Sequence, residues 1–418
     1  MMRRSDDGPR SAPPATNARN RPPFDPGSAV RWYLDPALGV FDGDRVRRDA
    51  LLEIDRSTLA RILPHDRADP GLPRWAPDAL ASPGFVDLQV NGGGGALLNN
   101  TPDAEGVRTI VAAHRRSGTT RLLPTVITDA PETLERACEA VLACRGDRGV
   151  AGVHIEGPHI APERRGTHAA DRIRPFDGRT MALVRRLREK DLLVLLTLAP
   201  ERVPPGLVAE LRALGVVVSA GHTAANADEI DRAVGEGLSM FTHLFNAMTP
   251  MASRAPGVVG AALDSDAWCG LIVDGHHVDD RVVGIALRSR RRPGRTFAVS
   301  DAMATVNWPD AFGLYGRTIR VEGGRLVNAE GALAGAHLDL LGALRRLVQR
   351  VGVPLDEALR MVTSVPAEAM ALGHDAGKLV EGLTGELVLV DRDLRAATVL
   401  DLGRSELEAP SRPAERHR

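Results

Sequence analysis

Between residues 84 and 301 the chain repeats one unit: a short apolar run, usually followed by a stretch of helical period. The runs are G-F-V-D-L-Q-V (84–90), R-L-L-P-T-V-I (121–127), V-A-G-V-H-I (150–155), L-L-V-L-L-T-L (192–198), V-V-V-S-A (216–220), S-M-F-T-H (239–243), C-G-L-I-V-D (269–274) and F-A-V-S-D (297–301). Strands that are apolar throughout and alternate with helices belong to a parallel sheet covered on both faces. Eight of them predict an α/β fold, a (β/α)8 TIM-like barrel, whose chemistry sits where the strands end. A doubly wound sheet is the alternative. It lacks support, because Asn91-Gly92-Gly93-Gly94-Gly95 has neither the G-x-G-x-x-G spacing nor the acidic partner downstream.

The ends of these runs carry chemistry. Glu156, His222, His243, Asp274 and Asp301 each close one, and most of the 12 histidines fall between His154 and His277. Two histidines and one carboxylate, Glu156 with His222 and His243, make the open three-ligand set of a catalytic zinc site. Asp301 is then the candidate base for a metal-activated water, although an aspartate in that position can also cap a helix. His154 and His159, beside the glutamate, read as packing or supporting residues.

A chain of 418 residues leaves room beyond a barrel of about 250. Residues 1–27 are polar and Pro-rich without an apolar stretch, which predicts a disordered tail rather than an export signal. Short strand-like runs at 28–82 and again at 366–410 predict one small β-domain assembled from both termini, leaving 83–365 for the barrel. Within the barrel, Thr101-Pro102 is expected to open the first helix, with Gly118 at its close. Asp129 is expected to cap the second, and Asp279 to Arg291 has helical period.

A formal net charge of −1 predicts no general attraction to nucleic acid or to an acidic membrane surface. Three cysteines without C-x-x-C spacing suit a reducing, cytoplasmic setting. No apolar run approaches the ~18 residues of a membrane span.

Eight ordered motifs carry a family resemblance: P-G-F-V-D-L-Q-V-N-G-G-G-G, H-I-E-G-P-H, R-G-T-H, T-L-A-P-E, S-A-G-H-T, T-H-L-F-N-A-M, V-D-G-H-H-V-D and S-D-A-M. Together, from about Pro83 to Leu341, they resemble the N-acetylglucosamine-6-phosphate deacetylases of the amidohydrolase superfamily. The resemblance implies hydrolysis of that sugar phosphate to glucosamine 6-phosphate and acetate. It implies Glu156, His222 and His243 as metal ligands and Asp301 as the acid/base. Thr167 and His168 would meet the acetamido group, Asn246 and Ala247 the sugar, and Arg254 and His277 the phosphate. Leu333, Ala334 and Gly335 correspond to a late substrate-contacting loop. A homodimer and a small-molecule amino sugar phosphate as partner are also implied.

Two departures bear on the expectation. Many amidohydrolases build a second metal site from H-x-H on the first strand, and here those positions read Gln89-Val90-Asn91. Neutral amides are poor ligands for a transition metal, so one divalent cation per chain is expected, zinc first. After Gly335 the family's small hydroxyl residues give way to Ala336-His337. That leaves open another N-acyl amino sugar or amide as substrate, and a non-catalytic sugar-phosphate-binding barrel stands as the rival from outside enzymology.

Overall fold

The computed structural model of the chain describes residues 30–328, 331, 333–373 and 376–402. The tail expected over 1–27, and 403–410 of the terminal β-region, lie outside the described residues. Eight parallel strands form the barrel: β1 Phe85–Val90, β2 Thr119–Ile127, β3 Val153–Glu156, β4 Val194–Leu198, β5 Val217–Ala220, β6 Met240–Phe241, β7 Trp268–Ile272 and β8 Thr296–Val299. Each pairs in parallel with the next. The ring closes beyond β8, where Asp301 N–H donates to Gln89 O at 3.0 Å and Asn91 N–H to Ala302 O at 2.9 Å.

A helix follows each strand, α1 Ala104–Arg115, α2 Pro131–Ala143, α3 Gly178–Glu189, α4 Leu207–Ala213, α5 Ala227–Glu236, α6 Gly257–Leu263, α7 Asp280–Ser289 and α8 Leu340–Arg346, and two more, Leu355–Val362 and Ser364–Ala369, come after α8. Burial explains the apolar runs. Val86, Leu88, Leu123, Leu195, Met240, Ile272, Phe297 and Val299 meet in one cluster. Strand residues such as Phe85, Val126, Ile155 and Leu196 join helix residues in another.

Two helix starts differ from the sequence reading. Asp103, not Thr101, caps α1, accepting from Gly106 N–H at 2.8 Å, while the Thr101 hydroxyl donates to Leu97 O. Asp129 bonds the adjacent Ala130 N–H at 2.7 Å, so α2 starts at Pro131 with no side-chain cap. Helix α7 begins as expected behind Asp279, which accepts from Arg281 N–H.

The terminal strands make two further sheets. One orders Thr58–Pro64, Ala50–Asp55, Arg31–Leu34 and Arg74–Trp75. The other orders Ala397–Asp401, Glu386–Val390, Leu80–Pro83, Val40–Phe41 and Val46–Arg47, so chain from both termini shares it. Trp32, Leu52, Ile54 and Trp75 from the first meet Ala81, Leu387, Leu389 and Leu400 from the second in one buried cluster.

Between β8 and α8 stands a three-stranded antiparallel sheet, Ala311–Leu314, Arg317–Glu322 and Arg325–Val327. Sequence reasoning missed it. No helix among the described residues is long and apolar enough to cross a membrane.

Candidate metal centre

Three lone-pair atoms converge at the barrel mouth. Glu156, the last residue of β3, places Oε1 3.2 Å from His222 Nε2 and 2.9 Å from His243 Nε2, and the two nitrogens are 3.1 Å apart. All three side chains are buried. Among the described residues this is the one His/Cys/Asp/Glu group that could hold a metal ion. The histidines follow β5 and β6, neighbours of each other, and that adjacency brings residues 66 and 87 positions away onto one carboxylate.

The donor set fits a divalent cation. His222 Nδ1–H donates to Arg164 O at 2.8 Å, which turns its Nε2 lone pair toward the carboxylate. Burial opposes charge on Glu156, but the adjoining imidazoles of His222 and His243 outweigh it and hold the carboxyl well below its usual range. Burial likewise opposes charge on His243, and Glu156 raises its imidazole despite that. Three acceptors this close need a shared positive charge, and a metal ion is one way to supply it.

The backbone adds an independent sign. His222, His243 and Asp301 have φ of 49°, 33° and 48°, and Phe245 and Ala247 reach 81° and 50°. Left-handed backbone at residues other than glycine costs roughly 1–3 kcal/mol each, and such strain concentrates at functional sites.

Asp301 stands across the mouth. Its Oδ1 accepts from Gln89 Nε2 at 3.1 Å and from Asn91 Nδ2 at 2.7 Å, and Gln89 Nε2 also lies 3.1 Å from Glu156 Oε2. The two amides at the H-x-H positions therefore brace Asp301, and Gln89 braces the Glu156 carboxylate as well. Burial, with the Glu156 charge, raises Asp301 to about 6. No helix starts after it: 302–309 run as loop, so the capping reading is not borne out.

The other candidates fall around this centre unequally. His168 lies against His222, the rings tilted by 48° with centroids 4.2 Å apart, and its Nδ1 lies 2.7 Å from Thr128 Oγ1. Burial, then the neighbouring His222, keeps its imidazole neutral by lowering it well below the usual value. Thr167 is half-buried beside it. Asn246 donates its amide to His243 O at 3.1 Å, and Ala247 O accepts from Thr223 N–H. Leu333 bridges Val327, while Ala334 and Gly335 lead into Ala336, whose N–H donates to Asp301 O at 2.9 Å. The late loop thus lies against Asp301.

His277 is locked by a residue whose partnership the sequence reading did not foresee. Its Nδ1 lies 2.6 Å from Asp274 Oδ2, and the backbone N–H groups of His276 and His277 both donate to Asp274 Oδ1. Burial would raise Asp274, but the His277 hydrogen bond prevails and holds it at about 2. The signal was available, since D-G-H-H places an acid three residues before its partner. Arg254 stands exposed in the turn where Ala252 bridges Ala255, with no hydrogen bond or ion pair among the described residues. His337 precedes the cap of α8, Asp339, and its Nδ1 lies 2.9 Å from Thr305 Oγ1. His154 bonds Thr197, and His159 bonds Arg174 O and Thr180, as supporting residues would.

A parallel barrel with a Glu/His/His group at its strand ends defines a class of metal-site hydrolase folds. The chain belongs to the amidohydrolase family, whose sequence pattern it matches over residues 80–409, and is a hydrolase of that metal-dependent family. It is 38% identical to an N-acetylgalactosamine-6-phosphate deacetylase of Shewanella sp. (strain ANA-3) over 322 residues, 76% of this chain and 80% of that one. It is 29% identical over 351 residues to the N-acetylglucosamine-6-phosphate deacetylase of Haemophilus influenzae, covering 82% and 91% of the two chains. The crystal structure of N-acetylglucosamine-6-phosphate deacetylase from Pasteurella multocida superposes with a TM-score of 0.84 at 30% identity, over 91% of this chain and 100% of that one.

Proposed function

We propose that this chain hydrolyses the acetamide of N-acetylglucosamine 6-phosphate to glucosamine 6-phosphate and acetate. The observation that carries the reading is the convergence of Glu156, His222 and His243 beside a buried aspartate that two amides brace. Similarity to deacetylases of both hexosamine phosphates supports the substrate class.

Glu156, His222 and His243 would hold one divalent cation, zinc first. The chemistry such an ion supplies is Lewis acidity toward a water and the amide oxygen. Asp301 takes the proton of the attacking water and returns it to the departing amine, which would otherwise leave as an amide anion. A carboxyl raised to about 6 exchanges a proton readily near neutral pH. Neutral His168 would donate a hydrogen bond to the acyl oxygen, with Thr167 beside it. Asn246, Ala247 and the 333–335 loop would line the sugar. His277, held by Asp274, and Arg254 would meet the phosphate. A rival without catalysis has no use for the braced base.

Further parts of the proposal are a homodimer, a cytoplasmic setting, and a division into a catalytic barrel over 83–365 and a supporting β-domain from 28–82 with 366–410. A specific observation favours one second reading, the galacto epimer as preferred substrate: the relative at 38% identity bears that name.

The test is acetate release from the gluco and galacto N-acetylhexosamine 6-phosphates and from both free sugars, before and after chelation. Metal-dependent release from the phosphorylated gluco sugar supports the proposal. A higher kcat/KM for the galacto epimer selects the second reading, and no release from any of the four overturns both.

A further inference from the structure

Tyr315 sits at the tip of the sheet that follows β8, in a two-residue loop between Leu314 and Arg317. Tyr315 and Gly316 have φ of 51° and 74°, positive at both positions as the tightest hairpin loops require. Gly, Asn or Asp normally fills such a position, and a bulky aromatic there is a conformational outlier. Something other than the turn accounts for the tyrosine.

Its contacts supply a reason. The hydroxyl donates to the carbonyl oxygen of Thr128, 187 residues away, just past the end of β2. Thr128 also carries the hydroxyl that bonds His168 Nδ1 at 2.7 Å. Burial, then the charge of Asp129, keeps the phenol well above its ordinary value, so it stays a neutral donor. The sheet is itself anchored. Leu314, Ile319 and Leu326 pack with Ile127, Met303 and Ala334, and Asn100 Nδ2 bonds Gly313 O at 2.6 Å.

We propose that Tyr315 is a positioning residue for His168: from the hairpin tip it braces Thr128, and through it the imidazole that faces the substrate's acyl oxygen. The inference rests on the role given to His168 above. Tyr315 touches neither the ligand carboxylate nor Asp301, so its effect falls on the orientation of one donor and not on metal retention.

The experiment is a cycle of Tyr315→Phe, His168→Asn and the double variant, measured on the best acylated sugar phosphate at equal metal content. Phenylalanine keeps the ring and removes one buried hydrogen bond, so kcat should fall about tenfold. KM should stay within about twofold, and in the His168→Asn background the tyrosine change should add nothing, as coupled residues behave. Equal losses in both backgrounds, or a loss confined to KM, would overturn the proposal. A readout that needs no substrate separates this claim from the functional reading: the imidazole ¹⁵N signals of His168 should shift in Tyr315→Phe. Unchanged signals would sink the positioning role whatever amide the enzyme cleaves. If wild type releases no acetate, the functional reading falls and the imidazole signals still decide about Tyr315.

Discussion

The barrel mouth and the sandwich of terminal strands lie in one chain but are built on opposite terms. In the sandwich, Trp32, Leu52, Ile54, Trp75, Leu387 and Leu400 are buried against one another. Glu53, the buried charge on the other face of Ala50–Asp55, is held by both Arg31 and Arg61. The mouth buries Glu156, His222, His243, His168 and Asp301 together and holds three of those residues in left-handed backbone. One region is arranged for stability. The other gives some of it up to keep charges and lone pairs poised, as functional sites commonly do.

If that contrast is right, mouth substitutions should cost turnover and sandwich substitutions should cost stability. The largest effect is expected for Asp301→Asn. The amide keeps the shape and can still accept from Gln89 or Asn91, but it can neither take a proton from water nor return one. We expect kcat to drop by about 10²–10⁴-fold with metal content unchanged. Single-turnover acetate release alongside elemental analysis checks both halves. A variant within a few-fold of wild type at full metal occupancy would show that the aspartate only shapes the mouth.

The converse experiment is Leu52→Ala. Leu52 is fully buried in the strand Ala50–Asp55, paired with Leu34 and Ile62, and far in sequence from every candidate site residue. Truncating such a side chain typically costs about 2–5 kcal/mol. Chemical denaturation should record that loss, while kcat per folded molecule stays within about twofold. A collapse of kcat in the folded fraction would mean the sandwich tunes the mouth, and the division drawn here would fail.

How much of each region was legible in the sequence follows the same contrast. The eight barrel strands were readable because parallel strands buried on both faces are apolar throughout, which survives without any knowledge of neighbours. Glu156, His222, His243 and Asp301 were readable because each ends such a run. The bracing was not: Gln89 reaches Asp301 across 212 residues, and nothing local in Q-V-N says that its amides will serve an aspartate instead of being mere substitutes for ligands. The helix starts failed for a smaller reason. Thr101 and Asp129 had nearer hydrogen-bond partners than the helix ends, so Asp103 and Pro131 opened α1 and α2. The sheet over 311–327 carries turn signals at Gly316 and at Gly323-Gly324. It escaped notice because its exposed strands lack the continuous apolar runs that marked the barrel.

The smallest effect compares two carboxylates. Asp301 is buried and raised to about 6, whereas Asp177, on the outer shell, is held at about 2. Partial burial would raise Asp177, but the Thr180 N–H at 2.8 Å and Arg174 Nε at 2.9 Å prevail, because Asp177 is the cap of α3. A carboxyl depressed in the folded state binds protons more weakly there than in the unfolded chain. Its contribution is therefore complete above the unfolded value near 4 and is lost as pH falls from there through about 2. Its side chain is 37% exposed, so solvent screens the pair, and the charge at the helix start is worth about 0.3–1 kcal/mol at low salt. Asp177→Asn preserves a good cap without a titrating group. The stability difference between wild type and this variant should be constant from about pH 5 to 7 and shrink between about pH 4 and 2, with kcat at neutral pH unaltered. Thermal melts across that range read it. A difference that grows on acidification would reverse the sign and show that Asp177 is not held by its cap, and a change in kcat would place the outer shell within the chemistry of the mouth.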